Sequence, residues 1–168
     1  MPTASLIGLL INPKNPDNAD ETKDVQEAAA ALGLQVMVLN AGNGDEIEAA
    51  FEKLVERRAG ALILAGDTYF TSQRSRLATL SAKARIPTAD TVREFVDAGG
   101  LVSYGASLTG IYRQAGVSAA RILKGDKPAD LPIQLPTTFE LVLNLKSAKV
   151  LGIEIPATLL ARADEVIE

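Results

Sequence analysis

Short apolar runs alternate with amphipathic segments along almost the entire chain. The first run, SLIGLLIN at residues 5–12, ends just before Pro13 and contains no charged residue. Continuous runs of this kind are typical of strands buried on both faces, whereas a half-exposed strand alternates polar and apolar residues. When helices separate such strands, the strands pair in parallel and the helices cover both faces. The alternation therefore predicts an α/β fold: a three-layer, doubly wound, mostly parallel sheet of about five or six strands in flavodoxin-like order.

The bounds of these elements follow from the runs and from the proline, glycine and asparagine residues between them. We predict strands at residues 5–12, 34–40, 60–67, 86–90, 101–105 and 139–145. We predict a first helix between the first two strands that ends before Gly33, and further helices at residues 44–60, 72–85, 91–100 and 108–125. A Pro-rich connector at residues 125–138 precedes the final strand, and the tail after it has weak helical character on both sides of Pro156. By pattern alone, the connector is either a surface loop that leads to an edge strand or a segment that serves a second lobe.

Cap residues and apolar spacing refine several helices. We expect Gly33 as the C-cap of the first helix, Thr71 or Ser72 as the N-cap of the third, and Ser107 as the N-cap of the last. The apolar face of the first helix is expected to consist of Val25, Ala28, Ala29 and Leu32. The inward residues of the second helix are expected to be Ile47, Phe51, Leu54 and Val55. The apolar face of the last helix is expected to consist of Leu108, Ile111, Ala115, Ala119 and Ile122.

The composition excludes several classes of function. The chain has no cysteine and no histidine, which removes thiol nucleophiles, histidine acid–base pairs, disulfides and nearly every zinc site. Its net charge of −4 argues against a nucleic-acid surface. No segment approaches the roughly 20 apolar residues of a membrane span. The N-terminal sequence MPTASLIGLLINPKN lacks the basic region of a signal peptide, so we expect a soluble chain without a leader.

Polar and aromatic residues follow the predicted strands, at the edge where doubly wound sheets bind ligands. Carboxylates, amides and aromatic rings suit the recognition of a small polar molecule, and none of these residues is a strong nucleophile. The commoner alternative roles are turn formation or helix capping for Asn and Asp, and core packing for the rings. The candidate ligand-binding residues are Asn12, Asn15, Asp67, Tyr69, Phe70, Asp90 and Tyr104.

Motifs for nucleotides and for phospho-transfer are missing from the same positions. The turn after the first strand, NPKNPD, has no glycine for a dinucleotide site, and its prolines lack N–H donors that a flavin phosphate loop needs. Asp67 is placed like the phospho-acceptor of a receiver domain. However, Asn12-Pro13 and Tyr104-Gly105 stand where such a domain needs an acidic pair and a lysine. We therefore expect no cofactor, no metal and no catalytic residue.

Several stretches of the sequence match a single family. The most distinctive are EFVDAGGLVSYG at residues 94–105, ILKGDKPADLPIQLPTTFELVLNLKSAKVLGIEIP at residues 122–156 and ARADEVIE at residues 161–168. LLINPKNPDN and DEIEAAFEKL fit the segment that opens the second lobe of the same family. With these residues the chain resembles ABC-transporter substrate-binding proteins of the type I periplasmic fold, and specifically their C-terminal lobe.

This resemblance implies a two-lobed clamshell that closes on a small solute and presents it to an ABC permease outside the cytoplasm. Family members are about twice as long, and they begin with a signal or lipoprotein peptide and a first lobe. Residues 1–106 would form the α/β core of the second lobe, a flavodoxin-like unit. Residues 107–168 would supply a lobe-crossing helix, the Pro-rich connector, a final strand and a tail, packed as one domain. The helix at residues 107–125 would return to the first lobe, and residues 139–145 would belong to the hinge.

The resemblance also assigns roles to the candidate residues. Members related to tryptophan and tyrosine uptake systems bind aromatic amino acids. Tyr104 would line the interlobe cleft, where Gly105 and Ala106 leave room for the backbone to cross. Asp67 would bind the ammonium group of an amino acid, and a ring from Tyr69 or Phe70 would lie nearby.

Two other functions stay open. The chain would act as a half-receptor or sensory domain if a second copy replaced the missing lobe, or as an α/β lyase or isomerase if Asp67 or Asp90 were a base. Without a first lobe, the apolar face of the helix at residues 108–125 must fold back onto its own sheet or pack on a second copy. We therefore predict a homodimer, in which an exchange of identical elements is possible.

Overall fold

The apolar runs form one seven-stranded sheet in the computed structural model, which describes residues 5–168. The sheet has the order β2-β1-β3-β4-β5-β6-β7, and only the pair β5–β6 is antiparallel among the described strands. The strands are β1 (Leu6–Ile11), β2 (Gln35–Asn40), β3 (Ala61–Leu64), β4 (Thr88–Asp90), β5 (Val102–Ala106), β6 (Phe139–Asn144) and β7 (Glu165–Ile167). The predicted mostly parallel α/β sheet is confirmed. The start of the chain, on which the expectation of a missing leader partly depends, lies outside the described residues.

Eight helices connect these strands in the described part of the chain. They are α1 (Asn18–Ala31), α2 (Gly44–Glu56), α3 (Thr68–Ser72), α4 (Arg74–Ala84), α5 (Arg93–Asp97), α6 (Leu108–Leu123), α7 (Leu145–Leu151) and α8 (Ala157–Leu160). A 3₁₀ turn at Pro128–Asp130 lies in the connector. Two features differ from the prediction. The short helix α3 precedes α4, and the tail adds the short strand β7, which brings the sheet beyond six strands.

The helix caps confirm two predictions and correct a third. Gly33 follows α1 with a φ of +70°, as expected for a glycine beyond a helix C-terminus. Ser107 caps α6, where its Oγ accepts a hydrogen bond from the N–H of Gly110 at 3.3 Å. Thr71 and Ser72 do not cap the third predicted helix, because they already belong to α3, which Asp67 caps.

The hydrophobic core lies between the sheet and helices α2, α3, α4 and α5. Ile47, Phe51 and Leu54 of α2 are at most 4% exposed, as predicted, but Val55 is 54% exposed. Val55 lies about 100° around the helix from Leu54, which turns it toward the rim of the α2–α4 packing. The apolar face predicted for α1 is right in part: Ala29 is buried and Val25 half-buried, whereas Ala28 is exposed and Leu32 is 74% exposed. A helix at the edge of the sheet needs only a narrow stripe of contact.

Residues 107–138, which we call the arm, leave the sheet after β5 and return to it at β6. No residue of α6 is buried, and the predicted apolar residues Leu108, Ile111 and Ile122 are 38–40% exposed. Instead of folding back onto the sheet, α6 lies beside the connector at residues 132–138. The returning strand β6 lies between β5 and β7, so it is not an edge strand. The chain thus leaves the sheet and comes back to it, and β6 and β7 extend the sheet that residues 5–106 begin.

Gly105 in β5 is expected to resist substitution. A Cβ atom at this position would overlap with the backbone carbonyl oxygen of Thr91, which lies in the turn between β4 and α5. Gly105→Ala should therefore lower the free energy of unfolding by about 1–3 kcal/mol, the usual cost of forced overpacking. Denaturant titration measures this loss. Gly116→Ala is the matched control, because Gly116 lies on α6 with nothing within 4 Å of its Cβ position, and it should cause no loss. Equal stability of the Gly105→Ala variant and the unmodified chain would contradict the expectation.

Candidate functional site

The loops that follow β1, β3, β4 and β5 lie at one edge of the sheet, because these strands run parallel. Since β1 and β3 are neighbours, this edge brings Asn12 and Asp67 together across 55 positions of sequence. The Nδ2 atom of Asn12 donates a hydrogen bond to Oδ1 of Asp67 at 3.1 Å. The pair of an amide and a carboxylate is the centre of the candidate site.

Asp67 has two roles in this arrangement. Its Oδ1 atom also accepts a hydrogen bond from the backbone N–H of Tyr69 at 2.8 Å, which makes Asp67 the N-cap of α3. This is the capping role considered as the alternative for strand-end aspartates. Its Oδ2 atom accepts no hydrogen bond from any residue that the structure describes. A helix cap uses one oxygen and leaves the second available for a polar group of a ligand.

The amides of Asn12 and Asn15 mainly order the loop after β1. Oδ1 of Asn12 accepts from the N–H of Lys14 at 3.2 Å, and Asn18 donates to the carbonyl of Asn12 through its side chain. Nδ2 of Asn15 donates to the carbonyl of Gly66 at 2.9 Å, while its Oδ1 accepts from the N–H of Asp17 at 3.0 Å. Asn15 therefore ties the loop after β1 to the turn after β3, next to Asp67.

The predicted aromatic residues separate into a buried and an exposed group. Phe70 is 1% exposed and lies in the core, so its ring does not face the strand-end loops. Tyr69 packs partly buried against this core, with its ring centroid 5.9 Å from that of Phe70. Tyr104 is 63% exposed and stacks on Phe139 of β6, with ring centroids 6.0 Å apart and planes 27° apart. The sequence analysis did not single out Phe139, whose only signal was its place at the start of the final strand.

Asp90 ends β4 in a buried environment. Its Oδ1 atom accepts hydrogen bonds from the backbone N–H groups of Thr91 at 2.6 Å and Val92 at 3.3 Å. Within residues 5–168, its Oδ2 atom is buried without a hydrogen-bond partner, as is Oε2 of Glu94 in α5. Burial disfavours the carboxylate and raises the pKa of Asp90 to about 6, and the nearby charge of Glu94 adds to this effect. Asp90 is therefore a buried residue whose hydrogen bonds order the backbone of the turn after β4.

Residues 5–168 contain neither a cluster of side chains suited to a metal ion nor a helix that could span a membrane. No group of three or more acidic side chains in this range is arranged to hold a metal ion. No helix in it is both long and apolar enough to cross a bilayer.

The family model described as ABC transporter substrate binding protein matches residues 1–167. The chain therefore belongs to this family of substrate-binding proteins, and the resemblance read from its sequence is confirmed. Among curated proteins, no significant match was found.

Solved structures place the fold in the same context. A conserved domain protein from Vibrio cholerae O1 biovar El Tor is 25% identical, with a TM-score of 0.88 over 99% of this chain and 56% of that one. An ABC domain from Streptococcus pneumoniae in complex with L-Trp gives the same identity, TM-score and coverage of this chain, and 58% of its own length is covered. An open, ligand-free substrate-binding protein with adhesive properties from Clostridium difficile, 20% identical, shares the fold at a TM-score of 0.72 over 99% of this chain and 55% of that one. The chain thus spans little more than half the length of these proteins.

Asp90→Asn is expected to stabilise the protein at neutral pH. The raised pKa means that the folded state binds a proton more tightly than the unfolded state, whose value is near 3.8. The free energy of unfolding therefore falls as pH rises from about 4 to about 6, by up to about 3 kcal/mol. Asparagine keeps the oxygen that accepts the N–H groups of Thr91 and Val92 and does not titrate.

Urea unfolding at about pH 4 and about pH 7.5 measures this difference. The variant should match the unmodified chain at the lower pH and exceed it at the higher one. Asp24→Asn, at an exposed position of α1, is the control and should leave the pH dependence unchanged. If the unmodified chain and Asp90→Asn lost stability equally as pH rises, Asp90 would not be the group responsible.

Proposed function

We propose that this chain is the solute-binding C-terminal lobe of an ABC-type uptake receptor and binds an amino acid in a cleft between two lobes. The observation that carries the proposal is the Asn12–Asp67 pair at the carboxyl edge of the sheet, with Oδ2 of Asp67 left open. Family membership supports a binding role, and the Streptococcus pneumoniae neighbour with L-Trp bound supports an amino acid as solute. The ammonium group of the solute would meet Asp67.

The proposed site uses the surface groups of the edge. Asn12 and Asn15 order the loop beside the solute, and Tyr69 lies on the turn that carries Asp67. Tyr104, stacked on Phe139, offers an exposed aromatic surface where the arm leaves the sheet. Asp90 supports the adjoining turn, and Phe70 supports α3 from the core. A first lobe would close the cleft from the opposite side.

A receptor role also accounts for the arm. The apolar face of an amphipathic helix is stable only when other protein covers it. Leu123 on α6 is 88% exposed and Ile133 in the connector is 95% exposed. The chain spans 55–58% of the related solved structures, which leaves room in such proteins for a first lobe that packs on the arm. The complete receptor would act outside the cytoplasm and deliver its solute to a permease, without chemical conversion of the solute.

Asp67→Asn is expected to weaken solute binding in a two-lobed protein that carries this chain. Asparagine keeps the Oδ1 acceptor of the cap but replaces the open Oδ2 with an amide nitrogen, which repels an ammonium group. The loss should be about 1.5–3 kcal/mol, the range for a hydrogen bond to a charged group. Calorimetric titration with L-tryptophan and the other standard amino acids measures it, with Asp24→Asn as the control. Unchanged affinity for the solute that binds would mean that Asp67 serves only as a helix cap.

Taken alone, the chain is expected to form a homodimer through the arm, in which each copy covers the other's exposed apolar side chains. Light scattering should then give about twice the monomer mass of 17.7 kDa. Leu123→Glu, on α6, should shift the population to monomers. Leu32→Glu, at the C-cap of α1 and 74% exposed, should leave the dimer intact. A monomer mass for the unmodified chain at micromolar concentration would refute the dimer while leaving the receptor proposal in place.

A further inference from the structure

The chain leaves the hydrogen-bond ladder of the sheet at Gly66, the residue directly before Asp67. The N–H of Ala65 still donates to the carbonyl of Leu10 in β1 at 3.0 Å. Gly66 follows, and within residues 5–168 neither its N–H nor its C=O bonds to another backbone group. Gly66 is exposed, and within residues 5–168 it is side chains, not the backbone, that hold its peptide groups and so fix the position of this turn.

Two side chains from the segment that follows β1, those of Asn15 and Glu21, bond to the peptide groups of Gly66. Glu21, in the first turn of α1, accepts the N–H of Gly66 with both carboxylate oxygens, at 3.1 Å to Oε1 and 3.2 Å to Oε2. Asn15 donates from Nδ2 to the C=O of Gly66 at 2.9 Å. Two side chains from one segment thus hold the two peptide groups of the residue directly before Asp67.

The Glu21 contact is the stronger of the two, because its acceptor is charged. Glu21 forms no ion pair with any lysine or arginine that the structure describes, and both of its carboxylate oxygens accept from the N–H of Gly66. The bond between Asn12 and Asp67 adds a third link from the same segment to the same turn. Without Glu21, the N–H of Gly66 would have no described acceptor, and the turn would keep only its amide links.

We propose that Glu21 is the positioning residue for Asp67. It holds the turn after β3 against the start of α1, so that the open oxygen of Asp67 stays fixed at the carboxyl edge of the sheet. The consequence for solute binding rests on the proposed function, but the positioning itself does not. It is therefore testable in the chain alone, without any solute.

The test compares backbone amide resonances of Glu21→Ala, Glu21→Gln and the unmodified chain by NMR. In Glu21→Ala, the amide of Gly66 should shift strongly and exchange with solvent at least about tenfold faster, the factor for losing one charged hydrogen bond. The amide of Tyr69, which bonds to Oδ1 of Asp67, should shift as well, because Asp67 moves with the turn. Glu21→Gln keeps an acceptor oxygen, so the amides of Gly66 and Tyr69 should stay close to their values in the unmodified chain.

Glu27→Ala provides the matched control, since Glu27 lies on the same helix and only forms an exposed pair with Lys23 at 3.9 Å. It should leave the amides of Gly66 and Tyr69 unchanged. Unchanged resonances of Gly66 and Tyr69 in Glu21→Ala would overturn the proposal, whatever the solute proves to be.

A binding measurement separates this proposal from the proposed function. In a two-lobed protein that binds L-tryptophan, Glu21→Ala should raise the Kd about tenfold, and Glu21→Gln should raise it less. If Asp67→Asn weakened L-tryptophan binding while Glu21→Ala left the Kd unchanged, only the positioning role of Glu21 would be overturned. An unaffected Asp67→Asn variant would overturn the assigned site, while the amide resonances would still decide whether Glu21 holds the turn.

Discussion

The antiparallel pairing of β5 with β6 determines how the whole chain is arranged. Its register runs from Ala106 opposite Phe139 to Val102 opposite Leu143, whereas every other pair of neighbouring strands in residues 5–168 is parallel. A parallel neighbour requires a crossover over one face of the sheet, but an antiparallel one lets the chain leave and return at the same edge. That edge also carries the loops with Asn12 and Asp67. The base of the arm and the candidate ligand site therefore lie at the same edge of the sheet, with β4 between β3 and β5.

The sequence predicted the strands well where apolar runs were long, and less well where short elements depend on their neighbours. The strands β1 to β6 each overlap a predicted strand. Strands β1 and β3 are continuous apolar runs, as expected for strands buried on both faces, whereas β4 contains the buried polar residues Thr88 and Asp90. The strand β7, with only three residues, has no such signal and forms because β6 offers it a free edge. Val55 was predicted inward from helical spacing, but spacing gives only an angle, and the width of the contact depends on how α4 packs against α2.

The candidate site was predictable to the extent that it follows from strand order. Asn12 and Asp67 end strands that are adjacent in any flavodoxin-like sheet, so their contact follows from the topology. The roles of Glu21 and Phe139 do not follow in this way. Glu21 meets Gly66 because of the angle at which α1 leaves its loop, and Phe139 meets Tyr104 because of the register of an antiparallel pair. The separation of Tyr69 from Phe70 has a similar cause, since consecutive residues of a helix point about 100° apart.

The turn between β4 and α5 connects the buried carboxyl of Asp90 to the strand that leads into the arm. Asp90 holds this turn through the N–H groups of Thr91 and Val92, and the carbonyl of Thr91 rests directly on Gly105 of β5. A side chain at Gly105 would separate the two, and a displacement of β5 at that point must carry the turn with it. The buried carboxyl of Asp90 thus lies in the turn that packs against β5, the strand from which the arm begins. Burial of this carboxyl, whose Oδ2 has no hydrogen-bond partner in the described part of the chain, costs solvation free energy, while its Oδ1 orders the backbone of the turn. Here the ordered backbone is the turn that packs against Gly105, directly after Tyr104 in β5.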